Sequence, residues 1–422
     1  MMRSHTSAAT RRIVLGVALF GMVVTLSPQA LAGWTPQMVA TTGASRAFGH
    51  GLEAAFTNPA FLGVTPSHGT QLRLVGVGAG VASNGLGWDD YRKYNGATLS
   101  DNDKNDILSR IPVAGMQMTA DAGATAMAIR RGRLSVRVDG SATGGGRLDR
   151  DAVELIFFGN AEQPDWTFDD SDAEGLATWN LRVAYGLPVG RLFGRPVFAG
   201  ASVAYVRGLY YGRAEEARAD LRTSHTGLAG SATGDVYSAE GGSGVGVDLG
   251  MAVDLGSRWT AGLSVENVIH TVQWSHNAEV TRYYLQFDDL TVDNFEDSLW
   301  VANEIRETLD GFRRGLPARM RVSIGHSTPR WRFGTAISID TEDRLSYSTT
   351  PVLSAGVEHD LLSFLPVRLG AAIGGVSGPA FGWGGGLRFW RTELNVGFRI
   401  DRGFWLGHGR GLTAAMALDL TL

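Results

Sequence analysis

The sequence predicts an all-β chain that crosses a membrane as a closed antiparallel β-barrel of about fourteen strands, with an N-terminal plug. Three observations predict it. Between residue 317 and Leu422, segments of about ten residues alternate apolar and polar side chains. The connections between successive segments are alternately short and long. The chain also opens on a secretory leader.

Alternation is clearest at the C-terminus. Ala414, Met416, Leu418, Leu420 and Leu422 fall on one face, and Thr413, Ala415, Ala417, Asp419 and Thr421 on the other. Earlier segments repeat the pattern, with Trp331, Phe333, Ile337 and Ile339 set against Arg332, Gly334, Ser338 and Asp340. A strand sends successive side chains to opposite faces. Apolar-out and polar-in strands of about ten residues mark a transmembrane barrel. Candidate strands fall at 71–83, 115–130, 133–142, 177–188, 195–207, 244–256, 258–270, 317–326, 330–340, 345–358, 365–374, 379–390, 392–402 and 411–422. Their even number suits a closed antiparallel barrel with both termini on one side.

Parity then assigns sides. Connections at 131–132, 189–194, 256–257, 327–329, 359–364 and residue 391 are short and share one side. Those at 84–114, 143–176, 208–243 and 271–316 are long and share the other. Short periplasmic turns and long outer loops are the asymmetry of outer-membrane barrels. Residues 71–422 therefore read as the barrel.

Arg11 and Arg12 precede an apolar run at 13–26 and then Ala30-Leu31-Ala32. This pattern predicts a signal peptide over 1–32, cleaved after Ala32, and export together with the barrel predicts the bacterial outer membrane. The apolar run is shorter than the roughly 20 residues a spanning helix needs. Residues 33–70 lack alternation but hold Phe48, Leu52, Phe56, Phe61 and Leu62. So many large apolar groups predict a plug packed within the barrel.

The absence of Cys excludes disulfides and thiolate metal sites. A net charge of −4 leaves no basic footprint for nucleic acid. Hydrophobic content of 44% fits a barrel whose lipid-facing residues are diluted by lumen residues.

In the loops, Ser100 with Asp103 predicts a capped helix over 99–111. Phe295, Leu299, Ala302, Ile305, Leu309 and Phe312 are at helical spacing and predict an amphipathic helix over 294–316 at the barrel mouth. The apolar run at 153–158 extends a strand above the membrane or lines an access route for apolar ligand. Asp101, Asp103 and Asn105 begin like a calcium loop, but Asp106 replaces the turn glycine and Pro112 the bidentate Glu. Asp169, Asp170, Asp172 and Glu174 read as solvated loop charge. The nine His residues lack metal spacing, and no Ser or Asp beside a His base is legible. The sequence thus predicts neither an enzyme nor a cofactor or metal site.

Arg137, Arg182, Arg319, Arg321, Arg332, Arg368, Arg388 and Arg399 recur on polar faces. Such a lumen lining selects anions or fatty carboxylates. Alternatively, the arginines pair with Asp139, Asp248, Asp254, Glu358, Glu393 and Asp419 across strands.

Two stretches resemble a known superfamily. The run Thr57-Asn58-Pro59-Ala60-Phe61-Leu62 is similar to the N-P-A element in the plug of FadL-type outer-membrane transporters and their PorV-like relatives. The segments at 246–250 and 262–268 resemble a hairpin of PorV-like and TraF-like barrels. The resemblance implies fourteen strands, a plug anchored by Asn58, Pro59 and Ala60, and passive uptake of small, fatty-acid-like hydrophobic molecules. The PorV-like side of it implies, as the alternative, a non-transport role as a secretion or assembly partner.

Overall fold

The computed structural model describes residues 35–161, 165–291, 300–376, 378–404 and 407–422. The signal expected over 1–32 and its cleavage after Ala32 lie outside the described residues.

Among the described residues, eighteen strands form one antiparallel sheet. In order they are β1 (Ser67–Ser83), β2 (Met116–Gly132), β3 (Leu134–Leu148), β4 (Asp165–Leu192), β5 (Arg195–Thr223), β6 (Leu228–Ala239), β7 (Gly242–Gly256), β8 (Trp259–Trp274) and β9 (Glu279–Leu290). There follow β10 (Trp300–Thr308), β11 (Phe312–Arg314), β12 (Arg319–Ser327), β13 (Trp331–Asp340), β14 (Val352–Leu362), β15 (Leu365–Gly374), β16 (Ala380–Phe389), β17 (Thr392–Asp401) and β18 (Gly411–Thr421). Pairing runs from β1 through β5, passes to β7 and β8, continues from β12 through β18, and returns from β18 to β1. Strands β6, β9, β10 and β11 stand outside this ring, so fourteen strands close among the described residues. Closure pairs every edge, which the apolar bilayer interior demands of a spanning sheet.

The alternation has the expected sense. In β13, Trp331, Phe333, Ile337 and Ile339 are exposed on the outer wall, while Arg332, Gly334, Ala336 and Asp340 are buried inside. Trp390, Tyr185 and Tyr205 are likewise exposed, near strand ends or on the outer face.

The long connections differ from expectation in an instructive way. Strands β4 and β5 run 28 and 29 residues, well beyond the roughly 9–11 that cross a bilayer. The surplus forms a hairpin above the barrel, widened by β6, β9 and β10. The helix expected over 294–316 is therefore corrected: residues 300–308 pair with β9, from Trp300 opposite Phe287 to Thr308 opposite Glu279, and Phe312–Arg314 pairs with β8. Its apolar residues satisfied a helical period, but the free edge of β9 supplies ladder hydrogen bonds that an isolated surface helix lacks. Phe295 and Leu299 lie outside the described residues.

The run at 153–158 is helical rather than an extended strand, within Arg150–Phe158. Asp149 caps it by accepting from the Asp151 N–H at 2.9 Å. Helix Asp101–Arg110 stands as predicted, with Ser100 and Asp103 exchanging cap bonds. The two helices pack through Ile107, Leu108, Ile111 and Val153. Strand β14 starts at Val352, not 345, because Asp343 ties residues 343–349 into a turn through Ser348 and Thr349.

Candidate functional site: the plugged lumen

Residues 35–66 lie inside the ring as two short helices, Pro36–Ala40 and Phe61–Val64, and the 3-10 turns Ala44–Ala47 and Gly51–Phe56. Their apolar side chains are buried, including Met38, Phe48, Leu52, Phe61 and Leu62. The expected plug segment thus occupies the lumen. The wall admits it through glycines. At Gly200 an added Cβ would lie 2.3 Å from both the Ala60 nitrogen and the Pro59 carbonyl carbon. At Gly186 it would lie 2.4 Å from the Pro59 oxygen. These glycines and Gly250 sit opposite one another on β4, β5 and β7, forming a flat seat under Asn58-Pro59-Ala60.

Asn58 holds that seat. Its Nδ2 donates to the Met251 carbonyl at 3.0 Å and the Leu263 carbonyl at 3.1 Å, and its Oδ1 accepts from the Ala60 N–H at 2.9 Å. Asn58→Ala strands three backbone groups in a buried setting, at a cost of about 2–4 kcal/mol. We expect limited proteolysis to cut within the plug of this variant while leaving wild type intact under the same conditions. Equal protection of the two would refute the anchoring role.

Three wall arginines grip the plug from other sides. Arg73 reaches Glu53 at 2.7 Å and also pairs with Asp419 at 2.7 Å. Glu53 accepts a 2.6 Å bond from Thr35; burial pushes its carboxyl above the usual range, opposed by Arg73. Arg130 donates to the Gly51 and Thr65 carbonyls, and Arg137 to Ala55 at 3.0 Å.

The plug divides the lumen. On the long-loop side lies a cavity of about 300 Å³, floored by Thr42, Arg46 and Phe56. On the short-turn side a cavity of about 80 Å³ touches Gln37, His50 and Glu53. Of the eight arginines predicted to line one lumen, Arg332 lines neither cavity, Arg137 lines the larger, and the rest are split between the two. Arg182, Arg319, Arg321 and Arg399 line the larger cavity. Arg368 and Arg388 line the smaller one, beside Glu358 and Glu393.

All eight are ion-paired, Arg137 with Asp139 at 2.8 Å. Arg182 pairs with Asp248, Arg319 with Asp340 at 2.5 Å, Arg321 with Glu266, and Arg399 with Asp401 at 2.6 Å. Arg332, Arg368 and Arg388 join a closed ring of alternating charge. Arg332 binds Glu358, Glu358 binds Arg368, Arg368 approaches Glu393, Glu393 binds Arg388, Arg388 binds Asp360, and Asp360 returns to Arg332. Of the two readings of these arginines, the geometry favours pairing, which is across strands except at Arg137 and Arg399, whose partners Asp139 and Asp401 stand two residues along the same strand. Asp254 is the exception among the expected partners: it accepts from the Gly256 N–H and forms no ion pair among the described residues.

Glu174 does not behave as solvated loop charge. It is buried and bound by Arg344 at 2.6 Å and Tyr211 at 2.9 Å. Among the described residues no cluster of His, Asp and Glu could hold a metal ion.

The outer mouth carries an apolar cluster. Tyr211 packs on Trp274 and on Phe312 at ring distances of 5.5 and 5.2 Å. Leu309 and Leu316 join it, and Leu316 also lines the larger cavity. Beside it the wall ladder is interrupted. Val247 pairs with Ile269 and Leu249 with Val265, so residues 266–268 leave the ladder between β7 and β8, while Glu266 still pairs with Arg319 on β12. Asn267 takes a φ of 56° there and donates to the Pro317 carbonyl at 3.0 Å.

Comparison with known proteins follows from this geometry. A sequence model of the family described as "F plasmid transfer operon, TraF, protein" matches residues 55–282, more than half of the chain. The chain belongs to the TraF family. A family of unknown function, DUF5723, also matches residues 228–398. No curated protein matches this TraF-family chain significantly in sequence. The crystal structure of the Ralstonia pickettii toluene transporter TbuX is similar, at 14% identity and a TM-score of 0.53, covering 93% of this chain and 99% of that one. The Pseudomonas putida toluene transporter TodX aligns at 13% identity and a TM-score of 0.50, with 93% and 99% covered. At such identities the likeness shows the fold, and this TraF-family barrel has the fold of the FadL-type barrels.

Proposed function

We propose that this barrel lies in the outer membrane and passes small hydrophobic molecules across it, with no enzymatic step. The observation that carries the reading is the continuity at the mouth: Leu316 belongs both to the aromatic cluster of Tyr211, Trp274 and Phe312 and to the lining of the larger cavity. Apolar contacts concentrate a hydrophobic solute by the same burial that drives folding. The solute is caught among these side chains, or among Val153, Phe157 and Phe158 on the second outer cluster. Movement of the plug around Asn58-Pro59-Ala60 then opens the route inward or sideways into the bilayer. The fold shared with TbuX and TodX, each described as a toluene transporter, supports the same direction.

The test uses bacterial cells whose outer membrane lacks other FadL-type channels. Uptake of labelled toluene and decanoate should rise several-fold with the barrel present, and Phe312→Asp should abolish the rise. Removing residues 43–62 should change the rate. No gain with the barrel, or no effect of that deletion, would sink the proposal. A stoichiometric protein co-purifying through the β4–β5 extension, without uptake, would favour the assembly-partner reading.

A further inference from the structure

The larger cavity is not apolar, and its charge pattern points beyond hydrophobic passage. Six arginines and six carboxylates line it. Five of each are already joined: the four pairs at Arg182, Arg319, Arg321 and Arg399, together with Arg137 and Asp139 at 2.8 Å. One cation and one anion remain. The guanidinium of Arg46, on the plug, forms no ion pair or hydrogen bond among the described residues, and its Nε is buried without a partner. Asp121, on β2, is held by hydroxyls, with Thr143 donating at 2.6 Å and Ser346 also bonding.

The two do not satisfy each other, since no ion pair joins them. Each lines the same cavity from a different body, Arg46 from the floor and Asp121 from the wall. Both are half-buried, and a charge drawn partly out of water without a paired counter-charge is costly. Arg46 carries a second penalty from Arg321, Arg319 and Arg399 nearby, which Glu266, already paired to Arg321, offsets only in part. Burial first, and then Arg321, push its guanidinium down to about 9. A single ligand group of negative charge would relieve both terms. A simple anion, however, would leave Asp121 as it is and add net charge to a lining that is balanced.

We infer that this cavity binds a small zwitterion, its carboxylate received by Arg46 and its ammonium by Asp121. Such a ligand compensates both residues at once and leaves the lumen neutral. A guanidinium recognises a carboxylate through two parallel N–H donors. An ammonium offers three donors, and Asp121 retains acceptor lone pairs beyond those its hydroxyl partners fill. The volume, about 300 Å³, is at the small end of ligand sites and suits a molecule of free amino-acid size. The inference does not rest on hydrophobic uptake, which uses the aromatic cluster at the mouth.

Isothermal titration of the purified full-length barrel in detergent tests it, with L-alanine, acetate and ethylamine as probes. L-alanine should bind at least about tenfold more tightly than either single-charge probe, a gap of about 1.4 kcal/mol. Arg46→Gln and Asp121→Asn should each weaken L-alanine about tenfold or more, while Ser338→Ala, also in the lining, should not. Acetate binding as well as L-alanine, with Asp121→Asn silent, would overturn the zwitterion. Absence of any L-alanine binding to wild type would overturn the site. Should either variant fail to fold, the probe selectivity of the wild-type barrel decides alone.

Discussion

Glu358→Ala should lower the stability of the barrel by about 3–5 kcal/mol, the range for removing one partner of a buried ion pair. Glu358 is 1% exposed and stands directly opposite Arg332 on β13 and Arg368 on β15. Its Oε1 receives Arg332 Nε at 2.7 Å and its Oε2 receives Arg368 Nε at 2.5 Å. Alanine would leave two guanidinium groups facing one another where one anion had separated them. Arg332 would keep Asp360 at 3.1 Å, and Arg368 would keep Glu393 at 3.6 Å and Asn395 at 2.7 Å, so the six-membered ring opens without vanishing. The loss is read as a lower urea midpoint for conversion from the folded to the unfolded band in unheated gel electrophoresis. Replacing Arg388, whose side chain is about a quarter exposed, should cost far less, about 1 kcal/mol. If Glu358→Ala unfolds within 1 kcal/mol of wild type, the ring contributes nothing to holding β13, β14 and β15 together.

This ring was partly legible in the sequence. Arg332, Arg368 and Arg388 alternate with apolar neighbours on strands, so their inward direction follows from the pleat. Their partners Glu358 and Glu393 are read the same way. Alternation fails where the strand itself breaks step. In β1 the inward residues are Gly76, Gly78 and Gly80, and parity would turn Arg73 toward lipid. A bulge between Arg73 and Val75 restores it to the lumen, where it meets Glu53. In β2 the inward set is Thr119, Asp121, Gly123 and Thr125 until a bulge between Thr125 and Met127 moves Arg130 inward. A bulge adds one residue and reverses every face beyond it, and nothing in the local composition announces it. Two of the three arginines that grip the plug, Arg73 and Arg130, were therefore invisible to a period-two reading.

The outer extension was hidden for a different reason. Residues 300–308 acquire their strand from a partner on β9, and a helical period among Ala302, Ile305, Leu309 and Phe312 conceals that pairing. Arg46 was passed over because it lies in a segment without periodicity. Only the contents of the cavity single it out. By contrast, Asn58, Pro59 and Ala60 were located by their resemblance to a plug motif, and the structure adds why the wall opposite them consists of glycine.

That seat yields the second large effect. Gly200→Val should force Pro59 and Ala60 off the wall and open the lumen to ions. The new side chain would have to enter space where even its Cβ meets the Ala60 nitrogen and the Pro59 carbonyl carbon at 2.3 Å, closer than non-bonded atoms approach. The backbone on the wall side cannot retreat, because β5 is pinned on both edges, to β4 at Gly186 and to β7 at Gly250. The plug is the movable body, held at this point by the three hydrogen bonds of Asn58. Overpacking of this kind costs about 1–3 kcal/mol, comparable to what those bonds contribute, so plug displacement competes directly with wall distortion. Planar-bilayer recordings should show a several-fold rise in conductance for Gly200→Val over wild type. Gly234→Val, on β6 outside the ring, where an added Cβ makes only ordinary contact with Ala217 at 3.6 Å, should show none of this and serves as the matched control for volume. Removing residues 43–62 in the Gly200→Val background should restore stability lost to the clash, because the opposing backbone is then released. A Gly200→Val barrel with wild-type conductance and wild-type stability would mean that the plug does not rest on this seat.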